Sequence, residues 1–257
     1  MVRKQVNSIN TNDRGYEKSA RFYDIFDDKD KIDFFLHYAL KAGRVLDIGA
    51  GTGRIALALA SQGIDVTCVE RSPAMLDIFR NKFTEHRDEA GRIRLFEGKA
   101  AVFDLKETFP LVILSGVFDH FLDDRERLAS LANIARHLRP AGTLVFDLFV
   151  GLMSDAPLSP AGRVRQGNLE YRRFISRRFL PSDIIELRLI YEILKGRKLI
   201  EKVEQVSNAG IVERDEVHWL LRETGFEVKK EFGGYDFSVY KEGNPLLIIE
   251  AVKKVTE

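Results

Sequence analysis

The sequence predicts an α/β fold, a parallel sheet with helices on both faces, carrying a small antiparallel β insert. Three observations predict it. Between Arg44 and Phe149, short apolar runs alternate with helical patterns, as in βαβ units that build a parallel sheet. From Leu169 to Val206 the pattern becomes long period-two runs joined by short turns, which makes antiparallel neighbours. After Arg214 a helix pattern and two strand patterns follow. The expected organisation is a flexible start over 1–14, an α/β domain over 15–150, an insert over 151–208, and a return to the α/β domain over 209–257.

The elements follow in order. From Tyr16 to Leu40 apolar residues recur at three or four, at Ala20, Tyr23, Phe26, Ile32, Phe35 and Leu36, which predicts helix. "GRVLDIG" is a buried strand, and a helix runs from Arg54 to Gln62. "DVTCVE" is the second strand. "SPAMLDIFRNKF" is a helix with Ser72 as N-cap and Pro73 at its first position. "IRLFEG" and "LVILSG" are strands three and four. "DDRERLASLANIARHL" is an amphipathic helix ended by Pro140 and Gly142, and "TLVFDLF" is strand five. "LSPAG" reads as a loop. The insert then supplies three strands, "LEYRRFISRRF", "DIIELRLIYEIL" and "RKLIEKVEQV", divided by turns at "LPSD" and "LKGRK". In the second of these, Ile185, Leu187, Leu189, Tyr191 and Ile193 share a face. "RDEVHWLLRETGF" is a helix closed by Gly225. "EVKKEF" and "NPLLIIEAVKK" are the last strands.

The chain's 257 residues are ample for a real core. A net charge of +1 gives no global field for nucleic acid or an anionic membrane. No apolar run reaches the ~18 residues of a membrane span, and the first twenty residues lack the apolar core of a signal peptide. The expected compartment is the cytoplasm. The single cysteine, Cys68, excludes an internal disulfide and reads as a buried strand thiol. The five histidines show no metal-ligand spacing, so no metal is expected.

The candidate site starts at "DIGAGTGR". Glycines stand at 49, 51 and 53, in a G-x-G-x-G spacing. A dinucleotide fold wants its third glycine one residue later, where this chain has Arg54. A phosphate loop also fails, because no Gly-Lys-Ser/Thr follows. What fits is a ligand with a zwitterionic end and a ribose. Gly49 and Gly51 let backbone approach it, and the helix N-terminus supplies donors for a carboxylate. Asp47 orients an ammonium. Glu70, nineteen residues beyond Gly51, accepts from both ribose hydroxyls by the logic of the dinucleotide site.

"VLDIGAGTG", "CVERSPAML" and "HLRPAGTLVFD" together resemble the class I methyltransferases that use S-adenosylmethionine (SAM), of the small-molecule type. The resemblance is close over roughly residues 16–150 and loose beyond. It implies a Rossmann-like seven-stranded sheet with a final antiparallel hairpin. It implies that Gly49 and Gly51 face the methionine part of SAM, that Asp47 holds its amino group and that Glu70 binds the ribose. Arg71 and Met75 would flank the adenine, and Ser115 would lie near the methionine. "GYEKSARFYDIFDD" resembles the helix that closes over SAM as a lid, with Tyr16 and Tyr23 on it; the alternative is a plain packing helix. "EGKAAVFDL" resembles the family's stretch whose acid bonds the adenine amine. Lys99 stands in the acid's place, and a lysine only donates. Adenine recognition then leans on backbone near Ala100 and Ala101, or on Asp104.

Methyl transfer from a sulfonium is an in-line displacement that needs alignment and, for some acceptors, loss of a proton. His120 in "LSGVFDHFLDD" is the candidate base, since the carboxyl edge of an open sheet is where ligands bind. Its alternative is a capping role, and Asp119 is a second candidate. Asp147, Phe149 and Tyr235 are candidates for the acceptor pocket, or for packing. The insert either shapes that pocket or forms a homodimer face. Its arginines, at 163, 165, 172, 173, 177 and 178, read as a solvated edge, because adjacent strand residues point to opposite faces. The resulting expectation is a SAM-dependent methyltransferase acting on a small molecule, with an amine as one acceptor class. The alternatives are a methyltransferase of tRNA or protein, or a catalytically silent SAM-binding protein.

Overall fold

The computed structural model describes residues 16–26, 30–150, 154–181 and 183–255. The expected flexible start over 1–14 lies outside them, as do the first three residues of the predicted insert. Among the described residues, eleven strands form two sheets. β1 (Arg44–Ile48), β2 (Asp65–Glu70), β3 (Ile93–Glu97), β4 (Phe109–Leu114), β5 (Leu138–Phe149), β10 (Phe226–Phe232) and β11 (Leu246–Lys253) make the larger, in the order β10-β11-β5-β4-β1-β2-β3. β1 to β5 pair in parallel. β11 runs antiparallel to β5 and β10, which is the expected closing hairpin.

Successive residues of the central strands serve opposite faces. In β4, Leu111 and Ile113 enter one apolar cluster and Val112 and Leu114 the other. The first cluster receives Phe34 and Phe35 from α1 (Asp30–Ala42), Ala56 and Leu59 from α2 (Arg54–Ser61), and Phe79 from α3 (Pro73–Lys82). The second receives Leu131 and Ile134 from α5 (Asp124–His137), and Val217, Leu220 and Leu221 from α6 (Arg214–Glu223). A single turn, α4 (Arg87–Ala90), precedes β3. The expected cap forms, with Ser72 accepting from the Met75 N–H, and the structure adds Asp123, which accepts from the Glu126 N–H at 2.8 Å.

The insert is a four-stranded antiparallel sheet, β6 (Ala156–Gln166), β7 (Leu169–Leu180), β8 (Ile184–Lys195) and β9 (Lys198–Gly210). The sequence predicted three of these strands and read the fourth as a loop. β6 shifts register against β7 twice, between Ala156 and Ser159 and between Pro160 and Gly162, so its alternation is broken. β9 runs two residues past the expected boundary, to Gly210. The predicted helix over Tyr16–Leu40 is also corrected. α1 starts at Asp30, and residues 16–26 form turns around one 3-10 segment, Ala20–Phe22. Their apolar side chains answer to two neighbours on different sides instead of one helix-facing groove. Phe22 stacks on Tyr191 of β8, with ring centroids 4.6 Å apart, while Ala20 is buried.

Candidate functional site

The sheet reverses its strand order between β1 and β4, which opens a crevice at their carboxyl ends. The glycine turn closes one side of it. Gly49 has φ +72°, and a Cβ there would meet Val117 at 2.3 Å; Gly53 has φ +83°, and a Cβ there would meet the Phe79 ring at 2.1 Å. Gly53, not residue 54, is thus the point of close helix approach. Arg54 lies over the Tyr23 ring, 5.3 Å from its centroid. Burial lowers its pKa from the ordinary value.

A cleft lies above this turn, between the ends of β1, β2 and β4 and the residues before α1. Of the residues named from sequence, Tyr16, Tyr23, Gly49, Gly51, Glu70, Arg71, Met75, Lys99, Ala100, Ser115 and His120 all line it. Asp47 lines a smaller adjoining recess with Lys31, Arg54 and Ser115. Ala101 lines neither. The structure adds Gly98, Val117, Phe121 and Glu126 to the wall. Gly98, Val117 and Phe121 sit in stretches that the sequence motifs flagged; Glu126, on the helix that follows, carries no signal of its own.

Glu70 ends β2 with both oxygens engaged. It accepts from the Gly51 N–H at 2.9 Å and the Ser72 N–H at 2.7 Å. Each oxygen keeps a second lone pair for a ligand hydroxyl. Asp47 is buried, and its Oδ2 has no hydrogen-bond partner. Burial, with Glu70 nearby, pushes its pKa up to about 7. An unpartnered buried carboxylate oxygen is costly unless a ligand pairs it.

Residues 16–26 strap across the mouth. Asp24 accepts from the Thr52 hydroxyl at 2.6 Å and pairs with Lys82 at 2.8 Å. Thr52 belongs to the glycine turn and Lys82 to α3, so the strap is tied to the wall it covers. Its other side holds the insert, through Phe22 on Tyr191 and Arg173 over the Phe26 ring at 5.0 Å.

His120 lies in a 3-10 turn, Phe118–His120, just past β4. Its Nε2 is 3.3 Å from the Tyr16 hydroxyl, and its ring also bonds the backbone of Asn208 in β9. Burial and then Arg71 press its pKa down to about 4, against the bond to Asn208. Asp119 is raised to about 7 by burial and by Asp147, and it accepts from the Phe149 N–H. Asp147 serves as a buried hub. It accepts from the Gly116 N–H at 2.5 Å, the Ser115 hydroxyl at 3.1 Å and the Tyr235 hydroxyl at 2.6 Å, with Lys31 at 3.8 Å. Asp147 and Tyr235 therefore hold the loop after β4 in place, while Phe149 is exposed.

The insert's arginines divide as the strand alternation requires. Arg163, Arg165 and Arg172 share a face and gather there. All three bond Glu170, at 2.5, 3.0 and 2.7 Å. They hold its carboxyl down to about 2. Arg173 turns to the other face and donates to Ala161 O. Among the described residues, no helix is long and apolar enough to cross a membrane, and no three His, Cys, Asp or Glu side chains group as a metal site.

Comparison with known proteins agrees with this architecture. Residues 45–142 match a family model described as a methyltransferase domain. The chain is 35% identical over 112 residues to a cypemycin N-terminal methyltransferase from a Streptomyces species, covering 43% of this chain and 44% of that protein. It spans about half the length of the curated relatives it matches. Among solved structures, the CcbJ methyltransferase of Streptomyces caelestis superposes with a TM-score of 0.79 at 19% identity, over 95% of this chain and 99% of that one. The SAM-bound amino pentose methyltransferase CalS10 of Micromonospora echinaspora superposes with a TM-score of 0.69 at 22% identity, over 99% of both chains. At these identities the superpositions show the fold.

Proposed function

We propose that this chain, whose residues 45–142 match a methyltransferase-domain family model, transfers a methyl group from SAM to a small-molecule acceptor, with an amine nitrogen as the favoured class. The single observation that carries the reading is the pairing of Asp47 and Glu70 around the glycine turn. One offers a buried, unpartnered oxygen at the floor; the other offers spare lone pairs at the end of the next strand. A ligand with an ammonium at one end and vicinal hydroxyls at the other satisfies both, and the methionine and ribose of SAM have that form.

SAM supplies a methyl group already activated on a sulfonium. The chain's own residues have the remaining tasks. Asp47 pairs the ammonium, Gly49 and Gly51 admit the backbone close to it, and Glu70 holds the ribose. Ser115 borders the methionine end. Arg71, Met75 and the Gly98–Ala100 backbone surround the base. Tyr16 and Tyr23 close the mouth and keep water out, which preserves the alignment that in-line displacement needs.

His120 faces the space between the strap and the insert, where an acceptor approaches from the insert side. With a pKa near 4 it is neutral in ordinary buffers, so its Nε2 can take a hydrogen bond from an acceptor N–H or O–H that displaces the Tyr16 hydroxyl, 3.3 Å away. The same low value makes it a poor store for a proton, so its work is to orient the acceptor. The amine class is supported by the printed names of relatives, a cypemycin N-terminal and a glycine/sarcosine N-methyltransferase.

Titration calorimetry with SAM, S-adenosylhomocysteine and NAD tests the cofactor reading. Binding of the first two and not the third is expected. Glu70→Ala weakens SAM binding roughly ten- to hundred-fold, the worth of charge-assisted hydrogen bonds; unchanged affinity removes the ribose role. A labelled-methyl screen against amines and amino sugars then tests turnover. SAM binding without transfer to any acceptor would leave a silent binding protein.

A further inference from the structure

The inner face of α5 carries two polar residues where an amphipathic helix needs apolar ones. Asn133 and His137 are 3% and 4% exposed. Buried polar groups persist where they are fully bonded, and these two spend their bonds on one loop. Asn133 Nδ2 donates to Ala100 O at 2.9 Å and to Phe103 O at 3.0 Å. Its Oδ1 accepts from Arg136, which fixes the amide with its nitrogen towards the loop. His137 Nε2 accepts from the Leu105 N–H at 3.2 Å, while Nδ1 donates to Asn133 O at 2.8 Å. The His137 ring also packs on Phe103, with centroids 4.3 Å apart.

The loop so held runs from Gly98 to Leu105, and its first three residues form one wall of the cleft. On the front it has no acidic side chain at position 99 to fix a base. Its backbone shape therefore decides how that end of the cleft fits a ligand. From behind, two carbonyls and one N–H of that backbone are pinned by side chains 30 to 33 residues away in sequence.

We propose that Asn133 and His137 are positioning residues for base recognition: they hold the Gly98–Leu105 backbone in the form that receives the adenine of SAM. This rests on the SAM reading above. It assigns to two α5 side chains the discrimination that an acid at position 99 would otherwise supply.

The test uses the full chain. Asn133→Leu keeps the side-chain volume and removes both donors. The dissociation constant of S-adenosylhomocysteine and the KM for SAM each rise about ten-fold, as for lost bonds that leave buried carbonyls unpaired. The kcat at saturating SAM stays within about two-fold, since the reacting atoms lie at the other end of the cleft. The preference for S-adenosylhomocysteine over S-inosylhomocysteine, which differs only in the base, narrows. A helix residue that served stability alone would not move that preference. His137→Phe keeps the ring on Phe103 and removes the Leu105 bond and the helix bond to Asn133 O, but leaves both Asn133 donors on the loop, so it produces a smaller change of the same kind. Where a variant does not fold, amide exchange of the wild-type chain decides: Leu105 N–H is protected, and more so with S-adenosylhomocysteine bound. Folded variants with unchanged affinity and unchanged base preference overturn the proposal, and so does a freely exchanging Leu105 amide in the complex. Wild-type protein that binds neither SAM nor S-adenosylhomocysteine refutes the parent reading, and this one with it.

Discussion

The glycine turn finds its partners nearby: Gly51 meets Glu70 across 19 residues of chain, and Gly53 packs on Phe79. The strap over the same cleft finds its partners far away: Arg21 meets Glu201 across 180 residues, and Phe22 stacks on Tyr191. The wall is made by short motifs at successive strand ends, whose geometry follows once the parallel sheet forms. The cover exists only after the insert has folded and docked. The difference teaches that the wall sets whether a ligand fits, and the cover sets how long it stays. Each prediction below breaks one and spares the other.

The largest effect belongs to the wall. Gly53→Ala places a Cβ 2.1 Å from Phe79 at a φ of +83°. Overpacking and left-handed backbone together destabilise by about 3 kcal/mol, measured by urea unfolding. Adding Phe79→Leu returns the steric share and leaves the backbone share. A loss below about 0.5 kcal/mol would show that the turn yields freely, and the rigid-wall side of the comparison fails.

The next effect belongs to the cover. Asp24→Ala cuts the strap from Thr52 and Lys82. The release rate of S-adenosylhomocysteine rises about ten-fold, the worth of a charged hydrogen bond, and the thermal midpoint scarcely moves. Thr52→Val acts through the same bond, so the double variant releases ligand little faster than Asp24→Ala alone. Additive effects would mean the two residues hold the strap separately.

The same division explains what was legible in the sequence. "DIGAGTGR", Glu70, and the Ser72–Pro73 cap each state local geometry, so the seven-stranded sheet and the cleft-lining residues around them could be read directly. The strap defeated a periodicity argument because Ala20, Tyr23 and Phe26 answer to different neighbours. β6 was hidden by Pro160 and Gly162, which break alternation while the neighbouring strand β7 still supplies the pairing. The gathering of Arg163, Arg165 and Arg172 on Glu170 depends on cross-strand register, and register is not written in either strand alone. Asn133 and His137 look like ordinary polar positions of a helix until the loop behind them is in place.

The smallest effect sharpens the chemistry of the wall. Asp47 binds its proton up to about pH 7 in the folded chain, against an ordinary carboxyl value of 3.8. The folded state therefore holds more protons than the unfolded state between those values. The contribution of Asp47 to stability is present below that window and is lost as the pH rises through it. An ammonium seated on Asp47 favours the charged carboxylate, so binding expels the proton. SAM affinity should then rise about three-fold between pH 6.5 and 7.5 and level off above, read by calorimetry in buffers of different ionisation heat. Asp119 titrates near the same value, whereas His120 stays neutral throughout this range. Asp47→Asn separates the two carboxyls. If it flattens the profile, the floor of the wall carries the pH dependence; if the slope survives, Asp119 carries it, and the proton belongs to the acceptor side under the cover.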